Sequence, residues 1–241
     1  MTTTFYAPPD AFSAGRVVLP DDEARHAVRT LRHSVGDEIV VVDGAGGRYR
    51  VRLTEADKRS AAGEVLSEER EVGEPDYRLT VGLGGLKNAG RFETFAEKAV
   101  ELGVGTIVPL TTERTEHMKI KAGRLENILV AAMKQSGRSR LPTVTEPRPL
   151  KEMLEGSDPL RVLCHESADP EAALPRILDA APAWESMTIL VGPEGGFSEG
   201  EVERAVGAGW QIASLGPRRL RAETAAIVAT SAVMLHHASN P

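Results

Sequence analysis

One stretch constrains the fold more than any other. Met187 to Val191 is an unbroken apolar run. Gly192-Pro193-Glu194-Gly195-Gly196-Phe197 follows it, and then Ser198 with Glu201 three residues later. A short run apolar at every position is a strand buried on both faces, as in a parallel sheet. Ser198 and Glu201 have the spacing of a capping box, so a helix starts there. The glycines between let the backbone approach a ligand, and free N–H groups at the helix start attract polar groups. A lone glycine pair at this place is a tight turn. Three glycines with a Pro and a Glu make a ligand loop the better reading.

The same alternation runs through the chain from Leu79 onward. Strands are expected at Leu79–Leu83, Thr106–Leu110, Arg161–Cys164, Met187–Val191 and Trp210–Leu215. Helices are expected at Phe92–Leu102 (stopped by Gly103), Arg124–Ser136, Pro170–Ala180, from Ser198, and at Glu223–His236. This pattern makes a mostly parallel sheet with helices on both faces. Ligands of such sheets bind at the carboxyl ends of strands. Three loops sit there: Leu163-Cys164-His165-Glu166, the glycine loop, and Leu215-Gly216-Pro217-Arg218-Arg219-Leu220-Arg221.

The first segment reads differently. Asp21–Arg32 is a short amphipathic helix with Asp21 as its expected N-cap, and Ala24, Ala27, Val28 and Leu31 on one face. Arg25, Arg29 and Arg32 share another face. Glu38–Val42 and Arg48–Leu53 are strands joined by Asp43-Gly44-Ala45-Gly46-Gly47, a hairpin loop built for positive φ. In the second strand Tyr49, Val51 and Leu53 alternate with Arg48, Arg50 and Arg52. With a further strand near Glu64–Leu66 this makes a small β-barrel. The acidic stretch Glu68–Pro75 reads as a linker, which places two domains at 1–72 and 73–241.

Composition narrows the chemistry. The net charge of −6 alone argues against a nucleic-acid partner, but 22 of the 29 basic residues are Arg, whose planar fork suits phosphates. Residues 114–140 hold seven basic residues (Arg114, Lys119, Lys121, Arg124, Lys134, Arg138, Arg140) against Glu116 and Glu126. The single cysteine, Cys164, excludes a disulfide framework. His26, His33, His165, His236 and His237 show no metal-ligand spacing, so no metal is expected. No apolar run approaches the ~20 residues of a membrane span. Residues 1–10 carry neither a basic flank nor an apolar stretch, so a cytoplasmic protein is expected. Gly82-Leu83-Gly84-Gly85-Leu86-Lys87 lacks the last glycine of a dinucleotide fingerprint, and no P-loop occurs.

Six ordered blocks carry a resemblance. They are Leu86-Lys87 with Arg91, Glu97 to Val104, Ile107-Val108-Pro109, Gln135-Ser136-Gly137-Arg138, Gly192 to Gly196, and Leu220-Arg221-Ala222-Glu223-Thr224-Ala225. Together they resemble the RsmE family of SPOUT methyltransferases, and His26, Val28, Leu31, Arg32, Gly36, Asp37 and Asp43-Gly44 extend the likeness over nearly the whole chain. Ala222 and Lys134 depart from the family pattern.

The resemblance implies a C-terminal SPOUT-type α/β domain with a trefoil knot, and an N-terminal PUA-like β-barrel that binds RNA. It implies methylation of N3 of a uridine in small-subunit (16S) ribosomal RNA, with S-adenosylmethionine as cofactor. Cofactor-binding residues would be Leu163, His165, Glu166, Gly192, Pro193, Glu194, Gly195, Gly196, Leu215, Gly216, Leu220 and Arg221. RNA would meet Arg25, Arg29, Arg32, Lys87 and Arg138. Uridine N3 must lose a proton, and the charge left on its flanking carbonyls calls for a fixed cation. Arg221 is the first candidate and Arg138 the second, with Glu223 as proton acceptor. The alternatives are a SPOUT enzyme acting on another base or a ribose, and a non-catalytic RNA-binding assembly factor. The apolar helix Ala222–His237, with Ala226, Ala229 and Ala232 as close-approach positions, implies a homodimer, and the resemblance implies that one subunit's Arg138 approaches the other's cofactor loops.

Overall fold

The computed structural model describes residues 3–57, 59–115 and 120–239. Glu116 and Lys119 of the basic run therefore lie outside the described residues. The chain divides into two compact units, Met1–Glu74 with Leu129–Leu141, and Pro75–Ile128 with Pro142–Pro241.

The first unit is a curled six-stranded sheet, a half-barrel. Its strands are β1 (Thr4–Tyr6), β2 (Phe12–Ser13), β3 (Arg16–Val18), β4 (Glu38–Val42), β5 (Gly47–Asp57) and β6 (Ser60–Arg70), in the order β1-β4-β5-β6-β3-β2. Alternation places Tyr49, Val51 and Leu53 inside, with Phe5, Val17, Ile39 and Val41, and turns Arg48, Arg50 and Arg52 outward. The hairpin turn is held by Asp43, whose Oδ1 accepts from Ala45 N at 2.7 Å and Gly47 N at 2.8 Å, while Tyr49 Oη donates to Oδ2 at 3.0 Å. Burial and this contact with Asp43 push the Tyr49 phenol up to about 12.

Three expectations change in this unit. Glu68–Arg70 is not linker but the end of β6, paired with β5 (Arg48 opposite Glu69), because cross-strand charge pairs such as Arg48–Glu69 at 3.6 Å suit a polar strand. Helix α1 (Asp21–Arg25) is capped by Pro20, with no side-chain cap, so Asp21 lies inside the first turn, where its charge suits the helix dipole. The helix continues as a π-turn over His26–Thr30 and stops there. Arg32 has φ +62 and has left the helix, so it does not share the face of Arg25 and Arg29.

The second unit contains β7 (Arg78–Gly84), α2 (Ala89–Glu101), β8 (Thr106–Thr111), α3 (Ala122–Ser136, whose residues from Leu129 on belong to the first unit), β9 (Thr143–Val144), β10 (Arg148–Pro149), α4 (Leu150–Leu154), β11 (Leu160–Cys164), α5 (Leu174–Ala180), β12 (Ser186–Val191), α6 (Glu199–Gly207), β13 (Gln211–Ala213) and α7 (Ala222–Ser239). All pairings in its seven-stranded sheet are parallel, in the order β10-β8-β7-β12-β11-β13 with β9 beside β8. The capping box is present: Glu201 N donates to Ser198 Oγ at 3.2 Å, and Ser198 N to Glu201 Oε2 at 2.8 Å. Helix α5 starts at Leu174 rather than Pro170, and the last strand spans only Gln211–Ala213.

Helix α7 packs on α2, α5, β7 and β12. Ala226 and Ala229 are both 0% exposed, so they face the helix's own unit and not a partner. Val228 and Leu235 are the large apolar side chains that α7 leaves exposed, at 39% and 59%. No helix among the described residues is long and apolar enough to cross a membrane.

Candidate active site

Register brings the three loops together. Cys164, the last residue of β11, pairs with Val191, the last of β12, and with Ala213, the last of β13. The three loops therefore leave the sheet at one level and enclose two adjoining cavities of about 360 and 660 Å³. Cys164, His165, Glu166, Val191, Leu220 and Ala225 belong to the walls of both. Each volume lies in the range of small-molecule sites.

The glycine loop owes its path to space. A Cβ on Gly84 would stand 2.3 Å from Pro193 N, so only a glycine in β7 lets the loop pass. Gly196 closes the turn at φ +67, with Gly196 N donating to Pro193 O at 2.8 Å. Arg114 clasps the loop from outside. Its Nη1 donates to Gly195 O at 2.8 Å and Phe197 O at 3.3 Å. Neighbouring Glu113 N donates to Glu201 Oε1 at 2.8 Å.

Most expected cofactor residues meet here. Gly192, Pro193, Glu194, Gly196 and Arg221 line the first cavity, and Leu215 and Gly216 the second. Leu163 and Gly195 line neither. Leu163 points to the opposite sheet face, into a core with Leu190 and Val108, because strand side chains alternate. Gly195 turns its carbonyl to Arg114. Cys164 and Phe197, within the loops the sequence marks, Val191 at the end of β12 and Ala225 in α7 are wall residues as well. Burial pushes the Cys164 thiol up to about 12, which keeps it an inert apolar surface.

The charged residues fall into two groups. Arg221 is exposed at the first cavity and has no carboxylate partner among the described residues. Glu223 lies outside both cavity walls. It is 8% exposed, its Oε1 stands 3.7 Å from Arg91 Nε, and its Oε2 is buried without a hydrogen-bond partner. Arg91 Nη1 also stands 3.5 Å from Glu194 Oε1, which accepts from Lys87 N at 3.3 Å. Arg91 is thus a site residue that sequence alone left without a role.

Arg138 belongs to the first unit. It is 3% exposed, and its Nε and Nη2 lie 3.1 and 2.6 Å from Glu74 Oε2. Ser139 N and Arg140 N donate to Glu74 Oε1 at 3.0 and 2.9 Å. Both edges of this carboxylate are therefore taken up in holding the segment after α3.

Comparison with known proteins agrees with this architecture. Residues 73–234 match the model of an RNA methyltransferase domain, and residues 19–66 that of an RNA methyltransferase PUA domain. The chain is 32% identical over 231 residues to ribosomal RNA small subunit methyltransferase E of Synechocystis, covering 93% of this chain and 75% of that one. A probable rRNA-methyltransferase from Porphyromonas gingivalis superposes with TM-score 0.89 at 34% identity, covering 99% of this chain and 100% of that one. Methyltransferase E from Neisseria gonorrhoeae, solved bound to S-adenosyl methionine, superposes with TM-score 0.81 at 29% identity, covering 98% of each chain. With three loops gathered at one sheet edge and relatives matching it nearly end to end, the chain belongs to the ribosomal RNA small subunit methyltransferase E family of RNA methyltransferases.

Proposed function

We propose that this protein transfers a methyl group from S-adenosylmethionine to N3 of a uridine in small-subunit ribosomal RNA. The observation that carries the reading is the meeting of three loops at the level of Cys164, Val191 and Ala213, around cavities lined by Arg221, which has no carboxylate partner among the described residues. The relatives' names support the substrate class.

The walls suit the cofactor. Val191, Leu220 and Ala225 offer apolar surface to an adenine, while Glu166, Glu194 and Arg219 offer charges of both signs to an amino-acid end. When bound, the cofactor supplies an electrophilic methyl group on a sulfonium. The chain's part is to make the nucleobase a nucleophile. Arg221 faces the charge that builds on the uridine carbonyls as N3 loses its proton, and so lowers the pKa of the base. Glu223 is the candidate acceptor for that proton; its Oε2 is buried outside the cavity walls with no donor among the described residues, so the step requires the side chain to turn from Arg91 toward the cavity. Arg138, the second candidate cation, is paired with Glu74 in its own chain. The expected approach to a partner's cofactor loops would need that pair to open.

The reading extends to the whole chain. Residues 1–72 act as a PUA-like RNA-binding domain and 73–241 as the SPOUT methyltransferase domain. A trefoil knot in the latter is supported by the strand order β7-β12-β11-β13, in which β12 lies between β7 and the earlier β11. A homodimer is supported by the exposed Val228 and Leu235 of α7. The test is a methylation assay with the modified nucleoside identified: 3-methyluridine supports the reading, and another nucleoside refutes it.

A further inference from the structure

The arginines of the first unit divide sharply. Arg16, Arg48, Arg50, Arg52, Arg70, Arg138 and Arg140 each carry a carboxylate partner. Arg25, Arg29 and Arg59 carry none among the described residues, and all three are exposed and line one hollow of about 290 Å³. Arg32, also without a carboxylate partner among the described residues, does not line it.

The fold brings the three together from two places. Arg25 and Arg29 project from α1 and the π-turn after it, whose other face is anchored by Ala24 and Ala27, both 0% exposed. Arg59 sits in the connection between β5 and β6. Leu19 N, just ahead of α1, donates to Ala61 O at 2.9 Å, and Val18 pairs with Ala62. The helix start is thereby held beside that connection. Asp21 is the other lining residue, and its carbonyl accepts from Arg25 Nε at 3.1 Å.

Three guanidiniums around one hollow repel one another, and one carboxylate does not balance them. An anion with several acceptor oxygens would, and phosphate fits the guanidinium fork. Among the described residues no aromatic or apolar side chain lines the hollow, so nothing there stacks on or reads a base. We propose that Arg25, Arg29 and Arg59 form a cradle for a backbone phosphodiester of the RNA substrate, gripping it without regard to sequence. This deepens the RNA reading above and rests on it.

The test is binding of a fluorescein-labelled fragment of small-subunit ribosomal RNA to the full chain, titrated at several KCl concentrations. Arg29→Ala and Arg59→Ala should each weaken binding about three- to tenfold and lower the salt slope by about one. Arg50→Ala removes the same charge outside the hollow and should change affinity less than about twofold. S-adenosylmethionine affinity should stay unchanged in all three. The cradle is overturned if Arg29→Ala and Arg59→Ala bind like wild type, or if Arg50→Ala weakens binding as much. Failure of the wild-type protein to bind RNA while it binds S-adenosylmethionine would instead overturn the RNA reading itself.

Discussion

Arg91 Nε stands 3.7 Å from Glu223 Oε1, and the same guanidinium reaches Glu194 Oε1 at 3.5 Å. One side chain of α2 therefore links the start of α7 to the loop after β12. Glu223 is the more buried partner, so it depends on Arg91 more than the half-buried Glu194 does. Arg91→Ala is expected to weaken cofactor binding about five- to tenfold, the worth of roughly 1 kcal/mol for a partly exposed charge pair. Calorimetric titration with S-adenosylmethionine checks it, and wild-type affinity would remove Arg91 from the site.

Glycine substitutions separate crowding from strain. In Gly84→Ala the new Cβ meets backbone, 2.3 Å from Pro193 N and 2.8 Å from Gly192 C, so the loop must move. Cofactor affinity is expected to fall more than tenfold and Tm to drop. A Cβ on Gly196 would meet nothing within 4 Å, but the residue's φ is +67. Gly196→Val should cost about 1–2 kcal/mol from backbone conformation and weaken cofactor binding while the fold survives. Unchanged affinity in either folded variant would contradict the loop's role.

The proposed dimer is tested on the outer face of α7. Ala229→Glu would bury a charge within its own unit and unfold the protein, so it does not report on association. Val228→Glu with Leu235→Glu should leave circular dichroism unchanged and give a monomer by light scattering. A double variant that stays dimeric would place the interface elsewhere.

Stability should depend on pH through His237. Its ring stacks on Tyr77 at 4.1 Å and meets Trp184 edge-on at 4.5 Å. Burial lowers its pKa below the usual 6.5; Asp76 opposes this shift and His236 adds to it. A depressed folded pKa means that the unfolded chain binds the proton more readily. The stability of the neutral ring is therefore complete above about pH 6.5 and is lost as pH falls through that value toward the folded pKa. Tm should fall more steeply between pH 7 and 5 in wild type than in His237→Phe. Equal slopes would show that the ring does not titrate in that range.

Much of this was legible because it is local. The glycine loop, the Ser198–Glu201 box and the alternation of Tyr49, Val51 and Leu53 each rest on residues close in sequence. What escaped is long-range. The polar end of β6 is a strand only because β5 lies beside it. Strands β1, β2, β9 and β10 are two or three residues long, too short for a period. Residues 129–141 join the first unit through contacts with no local signature, such as Gly46 N donating to Ser139 O at 3.0 Å and Glu74 holding Arg138. Arg59 and Arg25 are neighbours only because Leu19 is tied to Ala61. Residue types alone could not tell that Arg138 is held in an ion pair while Arg221 has no carboxylate partner among the described residues.

The decisive question is which atom receives the methyl group. Small ribosomal subunits from a strain lacking this gene would be incubated with the protein and isotopically labelled S-adenosylmethionine. The RNA would then be digested to nucleosides and analysed by mass spectrometry, at several pH values under single turnover. Label is expected in 3-methyluridine alone, with a rate that rises from pH 6 as N3 loses its proton and a slower rate for Arg221→Lys at every pH. Label on another base or on a ribose, or no label beside intact cofactor binding, would contradict the proposed reaction.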